Sequence, residues 1–304
     1  MKISIIGAGN VGATLAMRVL EGGLGDVVLL DIFKNLAIAK SLDLLDAAAI
    51  VGHELNIAGT DRYEDIKGSG IVVITAGLAR KPGMTREDLI AKNAEIVKSI
   101  SENIKNYAPS SIVIVVTNPL DTMTYLVRKI TGFKREKVIG MAGVLDGSRF
   151  ILLVADELKA PRSTVKTCML GSHGDTMVPL VSQTTVSGKP IDNLLPKEKM
   201  DAIIDRTRNR GAEIVKYLGT GSAYYSPSAA VYKMIELILT DGNDIIAASC
   251  CLDGEYGLSD IAIGVPCELG KNGIRKIIEL GLTEEERSAF LKSAQAIKES
   301  IKLL

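Results

Sequence analysis

Histidine is scarce in this chain of 304 residues, and one of its two copies lies in a setting that suits acid–base chemistry. His173 belongs to the segment Gly171–Thr176, directly after an apolar run at 165–170 that we predict to be a strand. Polar residues on loops at strand ends are typical of binding and catalytic sites, and an imidazole exchanges protons near neutral pH. His173 is therefore our candidate general base, whereas we interpret His53 as a solvated surface residue.

A base that removes a hydroxyl proton needs a carboxylate, which fixes the imidazole tautomer and stabilises the cation that forms. Asp146, in the segment Leu145–Phe150, is our candidate for this carboxylate. On a helix, Arg149 three residues later lies on the same face as Asp146. Such a pair alone is usually a surface ion pair, so the assignment depends on the other motifs.

A glycine-rich segment, Gly7-Ala8-Gly9-Asn10-Val11-Gly12, directly follows the predicted strand 3–6 and opens a helix. Gly7 permits a tight turn, Gly9 lets the backbone approach a pyrophosphate, and Gly12 allows close helix packing. Asp31 ends the next predicted strand, where a carboxylate can accept hydrogen bonds from a ribose and repel a 2′-phosphate. The motif predicts NAD rather than NADP, although proteins that only sense redox state, and epimerases, also contain it.

Two more candidate segments follow the predicted strands 71–74 and 112–116. The loop 76–86 contains Arg80 and Arg86, and the second segment is Val116-Thr117-Asn118-Pro119. Loops at the carboxyl ends of parallel strands are where this type of sheet binds ligands. Two arginines there can close over an anionic substrate, and the Asn118 amide can donate to a substrate oxygen. A solvated basic loop is the alternative for the arginines when they are considered alone.

The first half of the chain alternates short apolar runs with segments of helical period. Its strands are dense in β-branched residues without polar alternation, which is typical of a parallel sheet covered by helices on both faces. Beyond 140–147 the strand candidates 165–170 and 181–186 lie closer together, and a turn follows at 187–190. Long helices are predicted at 197–218 and 283–302, the latter with a capping box at Thr283 and Glu286.

These patterns predict an α/β protein with two domains. Residues 1–141 form a Rossmann doubly wound parallel sheet that binds NAD, and residues 142–304 form a mixed α+β domain that binds substrate. Neither a repeat nor a Pro-rich linker separates the halves, so we expect a firm interface between them.

The overall charge is balanced, with 36 Lys plus Arg against 36 Asp plus Glu, and the chain contains no Trp. It therefore lacks the strong field expected of proteins that bind nucleic acid or anionic membranes. No apolar run approaches the roughly 18 residues of a membrane helix, so we expect a cytoplasmic protein without a membrane partner. The four cysteines form no C-x-x-C pair and are interpreted as reduced packing residues, and no Cys/His cluster indicates a metal site.

The motifs, taken in order, resemble those of the lactate and malate dehydrogenase family. The matching segments are Gly7-x-Gly-x-x-Gly12, Arg80-Lys-Pro-Gly-Met-Thr-Arg86, Thr117-Asn-Pro-Leu-Asp121, Leu145-Asp-x-x-Arg149, Gly171-x-His-Gly-Asp175 and Gly221–Pro227. The likeness spans essentially the whole chain and is strongest to the lactate-dehydrogenase-like malate dehydrogenases of bacteria and archaea. Ser172 departs from the pattern, since Glu or Gly is commoner there.

The resemblance implies a role for each matching position. His173 would accept the proton, and Asp146 would orient the His173 imidazole. Arg149 would bind the carboxylate beside the reacting carbon. Arg86 would polarise the carbonyl, and Asn118 would orient the substrate. Cofactor contacts are expected from Gly7, Ala8, Gly9, Asn10, Val11, Gly12, Asp31, Asn93, Val116, Thr117 and Asn118.

Arg80 selects the substrate in this reading, because the family's lactate enzymes have Gln at the matching position and its malate enzymes have Arg. A guanidinium can pair with the second carboxylate of malate or oxaloacetate, whereas lactate or pyruvate would leave it without a partner. Such a loss can cost a factor on the order of 10⁴ in discrimination. The resemblance therefore implies reversible NAD-dependent oxidation of (S)-malate to oxaloacetate, a step of the tricarboxylic acid cycle, by a homodimer or homotetramer.

Three alternatives remain open at this point. The nearest is a lactate dehydrogenase or another 2-hydroxy acid dehydrogenase. A non-catalytic NAD-sensing module would keep the glycines and Asp31 but does not need His173 together with the arginines. An NAD-dependent glycosidase of related fold usually needs a metal, for which the sequence offers no obvious ligands.

Overall fold

The structure is a computed structural model that describes residues 1–78 and 85–304, with Arg86 described by its backbone alone. The first half of the chain alternates strands and helices. Its elements are β1 (Lys2–Ile6), α1 (Asn10–Glu21), β2 (Asp26–Leu30), α2 (Lys34–Val51), β3 (Ile57–Thr60), β4 (Ile71–Ile74), α3 (Arg86–Tyr107), β5 (Ile112–Val115), α4 (Leu120–Thr131) and β6 (Val138–Gly140).

The second half contains short strands, long helices and a pair of long antiparallel strands. Its elements are α5 (Gly143–Leu158), β7 (Val165–Lys166), β8 (Met169–Leu170), β9 (Val178–Pro179), β10 (Thr185–Val186), β11 (Lys189–Pro190), α6 (Lys197–Leu218), α7 (Tyr225–Leu239), β12 (Ile245–Asp253), β13 (Ser259–Gly270), β14 (Gly273–Ile277) and α8 (Glu284–Ile301). The predicted helix at 197–218 and the capping box of Thr283 and Glu286 are confirmed.

A nine-stranded sheet runs through both halves in the order β14-β13-β12-β6-β5-β4-β1-β2-β3. Strands β3-β2-β1-β4-β5-β6 pair in parallel, whereas β6 pairs antiparallel with β12 and so connects the sheet to the second half. The α/β class with a Rossmann sheet is thus confirmed. The predicted boundary at 141/142 falls between β6 and α5, and the division into two domains stays a prediction.

Alternate residues of the parallel strands pack into different hydrophobic clusters, one on each face of the sheet. Ile5 belongs to a cluster with Leu15 of α1 and Val231 of α7. Ile6 belongs to a second cluster with residues of α3 and α4, including Ile104. Burial on both faces explains why β4 and β5 are uninterrupted apolar runs.

The run 165–170 is not one strand, as we predicted, but two short ones. Val165 pairs with Val186 of β10, whereas Leu170 pairs with Val178 of β9, so the chain bends between them to reach two different partners. The predicted strand 181–186 likewise begins as a 3₁₀ turn, and only β10 remains extended. Of the predicted turn at 187–190, residues 187–188 connect β10 to β11, whereas 189–190 form β11 itself.

His53 is not the solvated residue that we predicted, because its side chain is half-buried and its ring Nδ1 is fully buried. Gly52 ends α2 in the left-handed conformation, at φ 87°, and turns the chain back toward β3. The imidazole is carried inward with this reversal. Among the described residues, no helix combines the length and the apolar character that crossing a membrane requires.

Candidate active site

The turn between β1 and α1 has the local geometry of a phosphate-binding loop. Gly7 has a φ of +112°, and a Cβ on Gly12 would lie 1.9 Å from the Gly7 carbonyl oxygen, so neither position admits a side chain. A Cβ on Gly9 would meet nothing within 4 Å, and Gly9 caps α1 without a side-chain acceptor for the first N–H groups. Open space and unengaged helix N–H groups beside Asn10 and Val11 fit an NAD pyrophosphate.

Asp31 connects this turn to the end of β2. Its Oδ2 accepts a hydrogen bond from the Ala8 N–H at 2.7 Å, and its Oδ1 accepts from the Phe33 N–H at 2.9 Å. The Ala8 carbonyl accepts from Lys40 Nζ at 2.7 Å, a contact that we did not predict from the sequence. Asp31 is half-exposed and keeps lone pairs that can accept from a ribose hydroxyl.

Two segments at the carboxyl ends of β4 and β5 are fixed to each other by buried polar side chains. Thr117, which follows Val116, donates from Oγ1 to the Ala76 carbonyl at 2.6 Å. Asn93 of α3 is fully buried; its Oδ1 accepts from the Leu78 N–H, and its Nδ2 donates to the carbonyls of Leu78 and Asn118. Asn93 therefore acts here through the backbone, and its direct contact with the cofactor stays a prediction.

His173 and Asp146 lie side by side at the junction of the two halves. The distance from His173 Nδ1 to Asp146 Oδ2 is 2.9 Å, and Asp146 is 2% exposed on the first turn of α5. Because a carboxylate accepts hydrogen bonds, this contact assigns a proton to Nδ1 and leaves Nε2 as the atom that can exchange a proton. Arg149 Nη1 lies 3.5 Å from Asp146 Oδ1 on the same helix.

The surroundings of His173 favour its protonated form. Burial alone would lower the pKa of His173, but the charge of Asp146 and its hydrogen bond outweigh that effect, and the pKa is raised above 6.5. The positive charge of Arg149 acts in the opposite direction, and the charge of Asp121 adds to the effect of Asp146. The imidazole therefore keeps its proton to a higher pH than an ordinary histidine does.

Arg149 is largely withdrawn from water, with an 11% exposed side chain, and its pKa is lowered first by burial and also by Arg210, while Asp146 opposes this. Its Nε has no hydrogen-bond partner among residues 1–78 and 85–304, the side chain of Arg86 set aside. A buried guanidinium with an unused N–H group is costly unless an anion completes its contacts. The site is thus suited to a substrate carboxylate.

A cavity of about 450 Å³ joins these groups, and both halves of the chain line it. Val11 and Asn118 line it from the first half, and Arg149, His173 and Ala223 from the second. The structure thus brings the dinucleotide-binding turn, the imidazole and one arginine together. Arg80 and the side chain of Arg86, which we assigned to the substrate, lie outside the described residues.

Two residues without a predicted role fix the loop that carries His173. Asp121, on α4, accepts the His173 backbone N–H at 2.9 Å through Oδ2, and Ser293, on α8, accepts the Ser172 N–H at 2.8 Å. Asp121 was part of a quoted motif, and a carboxylate within the apolar stretch 119–127 could have indicated a buried function. The sequence around Ser293 offers no such indication, since this contact spans 121 positions.

Comparison with known protein families decides where this site belongs. Residues 1–140 match the family model of the lactate/malate dehydrogenase NAD-binding domain, and residues 143–304 match that of the lactate/malate dehydrogenase alpha/beta C-terminal domain. The chain belongs to the lactate/malate dehydrogenase family. NAD is accordingly its cofactor, as the glycine-rich turn predicted.

Curated members of this family are similar to the chain over its full length. A malate dehydrogenase of Methanosarcina barkeri is 50% identical over 303 residues, which cover 100% of this chain and 99% of that protein. A malate dehydrogenase of Chlorobium limicola is 48% identical and covers 99% of this chain and 97% of its own length.

Solved structures of the family have the same fold. The malate dehydrogenase of Cryptosporidium parvum has a TM-score of 0.96 at 39% identity, covering 99% of this chain and 98% of its own. The lactate dehydrogenase of the same organism, in complex with lactic acid and NAD, has a TM-score of 0.96 at 38% identity, covering 99% and 97%. The fold therefore does not distinguish the two activities.

Replacement of Gly12 tests the phosphate-binding turn of this lactate/malate dehydrogenase family member. We expect Gly12→Ala to weaken NADH binding by at least about tenfold, because the new Cβ displaces the Gly7 carbonyl that shapes the turn. NADH fluorescence titration measures the affinity. Gly281→Ala is the matched control, since a Cβ there meets nothing within 4 Å. Equal affinities in both variants would contradict the assigned geometry.

Proposed function

We propose that this protein is an NAD-dependent malate dehydrogenase that catalyses the reversible oxidation of (S)-malate to oxaloacetate. The observation that carries the proposal is the buried contact of His173 with Asp146, with Arg149 beside it. His173 and Arg149 line the same cavity as Val11 of the dinucleotide-binding turn. Oxidation of a secondary alcohol needs a base, an anion clamp and a hydride acceptor at one place. Curated relatives near 50% identity have the same activity in their names.

His173 is the proposed acid–base group of the reaction. Its Nε2 takes the hydroxyl proton of malate, while Asp146 keeps Nδ1 protonated and stabilises the imidazolium that results. In the reverse direction the same imidazolium gives its proton to the carbonyl oxygen of oxaloacetate. NAD, when bound, supplies the acceptor or donor of the hydride.

In this proposal, two arginines and one asparagine bind and orient the substrate. Arg149 binds the carboxylate next to the reacting carbon through two parallel hydrogen bonds, which orients that carbon. Asn118, an exposed residue that follows the carboxyl end of β5, orients the substrate oxygen. Arg86 polarises the carbonyl, an assignment that rests on the sequence motif alone.

Arg80 distinguishes malate from lactate in this proposal. Its guanidinium pairs with the second carboxylate of a four-carbon diacid, and a monocarboxylate leaves that charge without a partner. This residue carries the choice because a lactate dehydrogenase structure is as similar in fold as a malate dehydrogenase structure. The curated relatives near 50% identity are named malate dehydrogenases, which does not favour the alternative of a lactate dehydrogenase.

The cofactor contacts proposed for the NAD site follow the turn and the edge of the sheet. Gly7, Ala8, Gly9, Asn10, Val11 and Gly12 approach the pyrophosphate, Asp31 accepts from the ribose, and Val116, Thr117 and Asn118 line the nicotinamide side. Asn93 supports this edge through Leu78 and Asn118. The division into an NAD-binding domain at 1–141 and a substrate domain at 142–304 belongs to the same proposal.

We further propose that the protein is a homodimer or homotetramer and that α2 lies in its interface. Only Ala37 and Ser41 of this 18-residue helix are buried, although the helix is apolar on several sides. Leu42 is 57% exposed and Ile50 is 88% exposed. A second copy of this chain would cover these side chains.

The four free cysteines fit a reducing compartment, and we infer that the enzyme serves the tricarboxylic acid cycle in the cytoplasm.

Removing the imidazole tests the base. We expect His173→Asn to lower kcat for oxaloacetate reduction by about 10²- to 10⁴-fold while NADH affinity changes little, because the base is lost and the dinucleotide contacts remain. Steady-state kinetics and NADH titration measure both quantities. The matched control is His53→Asn, which replaces the other histidine of the chain. A His173→Asn enzyme with undiminished turnover would remove this residue from the mechanism.

A comparison of substrates tests the role of Arg80. The wild-type enzyme should consume NADH with oxaloacetate at a kcat/KM at least about 10³-fold above that with pyruvate, since only the diacid pairs with a second guanidinium. Arg80→Gln should reduce this ratio by at least about tenfold, and Arg287→Gln, an exposed arginine of α8, should leave it unchanged. A wild-type preference for pyruvate would refute the malate assignment, and an unaltered ratio in Arg80→Gln would refute the selector role.

The mass of the particle in solution tests the interface. Light scattering should give two or four times the 32.4 kDa of the chain. Leu42→Lys combined with Ile50→Lys should shift the mass toward the monomer, because charges would replace apolar contact. Leu291→Lys, at a 44% exposed leucine of α8, should not. A monomeric wild-type enzyme, or an oligomer that the double variant does not disturb, would contradict the assignment of α2.

A further inference from the structure

A second buried carboxylate lies beneath the loop of His173, and the mechanism described above does not use it. Asp121 is 4% exposed on the first turn of α4. Its Oδ2 accepts the His173 backbone N–H at 2.9 Å, and its Oδ1 accepts the Ser249 hydroxyl at 2.7 Å. Ser249 belongs to β12 and is itself fully buried. The carboxylate thus joins α4, β12 and the loop of the histidine.

The two ends of His173 are therefore fixed by two different carboxylates. Asp146 binds the ring, and Asp121 binds the backbone N–H of the same residue. A neutral amide of the same shape could accept that N–H as well, so hydrogen bonding alone does not explain why a charged group is buried here. The negative charge itself calls for a role.

We propose that Asp121 is a positioning residue that fixes the backbone of His173 and, through its buried negative charge, stabilises the protonated imidazole. The inference rests on the proposed function, since it explains how the proton-transfer group of that reaction is held and tuned. Asp121 does not line the cavity among the described residues and so acts through His173 rather than on substrate.

Among the described residues, the charges around His173 come from two elements, and a third supplies a neutral hydrogen-bond donor. Asp146 and Arg149 face it from α5, and Asp121 faces it from α4, while Ser249 of β12 contributes a neutral donor to Asp121. The positive charge of Arg149 disfavours the imidazolium, whereas both carboxylates favour it. Asp121 therefore adds to Asp146 in opposing the effects of burial and of Arg149.

The ionisation of Asp121 and that of His173 depend on each other. Burial raises the pKa of Asp121 to about 6, against the hydrogen bonds from Ser249 and from the His173 N–H and the charge of His173. Above that pH the carboxylate is charged and favours the imidazolium; without its charge, the pKa of His173 must fall. Loss of the Ser249 hydroxyl would keep Asp121 neutral to a higher pH and act in the same direction.

The two histidines of the chain make a direct test possible. In a His53→Gln background, a single imidazole remains, and its pKa can be measured by NMR titration of the substrate-free protein. Asp121→Asn keeps an acceptor for the His173 N–H and a group that can bond Ser249, but removes the charge. We expect it to lower the pKa of His173 by about half a unit to one unit. Ser249→Ala should produce a smaller shift in the same direction.

Controls separate this effect from simple loss of structure. Asp192→Asn, at an exposed carboxylate, should leave the His173 titration unchanged, and NADH affinity should persist in each variant. In the pH profile of oxaloacetate reduction by Asp121→Asn, the rate should begin to fall at a lower pH than in the wild type. The shift along the pH axis should equal the change in the pKa of His173 measured by NMR. If Asp121→Asn does not fold, Ser249→Ala decides the question.

An unchanged His173 titration in the folded variants would overturn the proposal, even if turnover fell, because a merely structural role predicts such a loss without a shift. The NMR measurement needs no substrate. A wild-type enzyme that fails to reduce oxaloacetate would therefore refute the proposed function and leave this inference to stand or fall by the titration.

Discussion

The structure depends on one buried carboxylate placed between a histidine and an arginine. Asp146 is nearly inaccessible to water, and its two oxygens lie 2.9 Å from His173 Nδ1 and 3.5 Å from Arg149 Nη1. Removing one partner from such a group is costly, since an unpaired buried charge loses its solvation without compensation. The hydrogen bond to His173 and the ion pair with Arg149 also fix the imidazole and the guanidinium on one side of the cavity.

The fold supplies this arrangement from elements distant in sequence. Asp146 and Arg149 are on α5, which begins directly after β6. The loop of His173 is held against the second half of the sheet by reciprocal backbone hydrogen bonds between Gly171 and Gly264 of β13. A Cβ on Gly264 would lie 2.4 Å from the Gly171 carbonyl oxygen, so this close approach requires glycine. Rigid support of this kind suits a group that must transfer a proton at a fixed position.

The sequence predicted most of the regular framework because its physical causes are local. Strands buried on both faces need continuous apolar runs, as in β4 and β5, and a phosphate-binding turn needs glycine where a Cβ would collide with the backbone. The run 165–170 misled us because its two ends pair with different strands, which hydrophobic pattern alone does not encode. Likewise, the sequence around His53 does not reveal that its ring is half-buried after the reversal at Gly52.

The residues of the candidate site that belong to a sequence motif were predictable. The residues that position them from distant parts of the sequence were less so. His173, Asp146 and Arg149 lie together around the cavity. Asp121 and Ser293 escaped notice because each acts on the backbone of a loop 52 or 121 positions away. Long-range hydrogen bonds to backbone groups leave almost no pattern in a single sequence, although they decide where a catalytic side chain lies.

The most direct test of the roles of Asp146, His173 and Arg149 is a crystal structure of the enzyme with NADH and a non-reacting dicarboxylic analogue of oxaloacetate. One carboxylate of the analogue should lie within about 3 Å of two guanidinium nitrogens of Arg149, with its keto or hydroxyl oxygen at hydrogen-bond distance from His173 Nε2. Asp146 should keep its contact with Nδ1. An analogue bound with its oxygen away from the imidazole, or with Arg149 turned away from both carboxylates, would contradict the proposed chemistry.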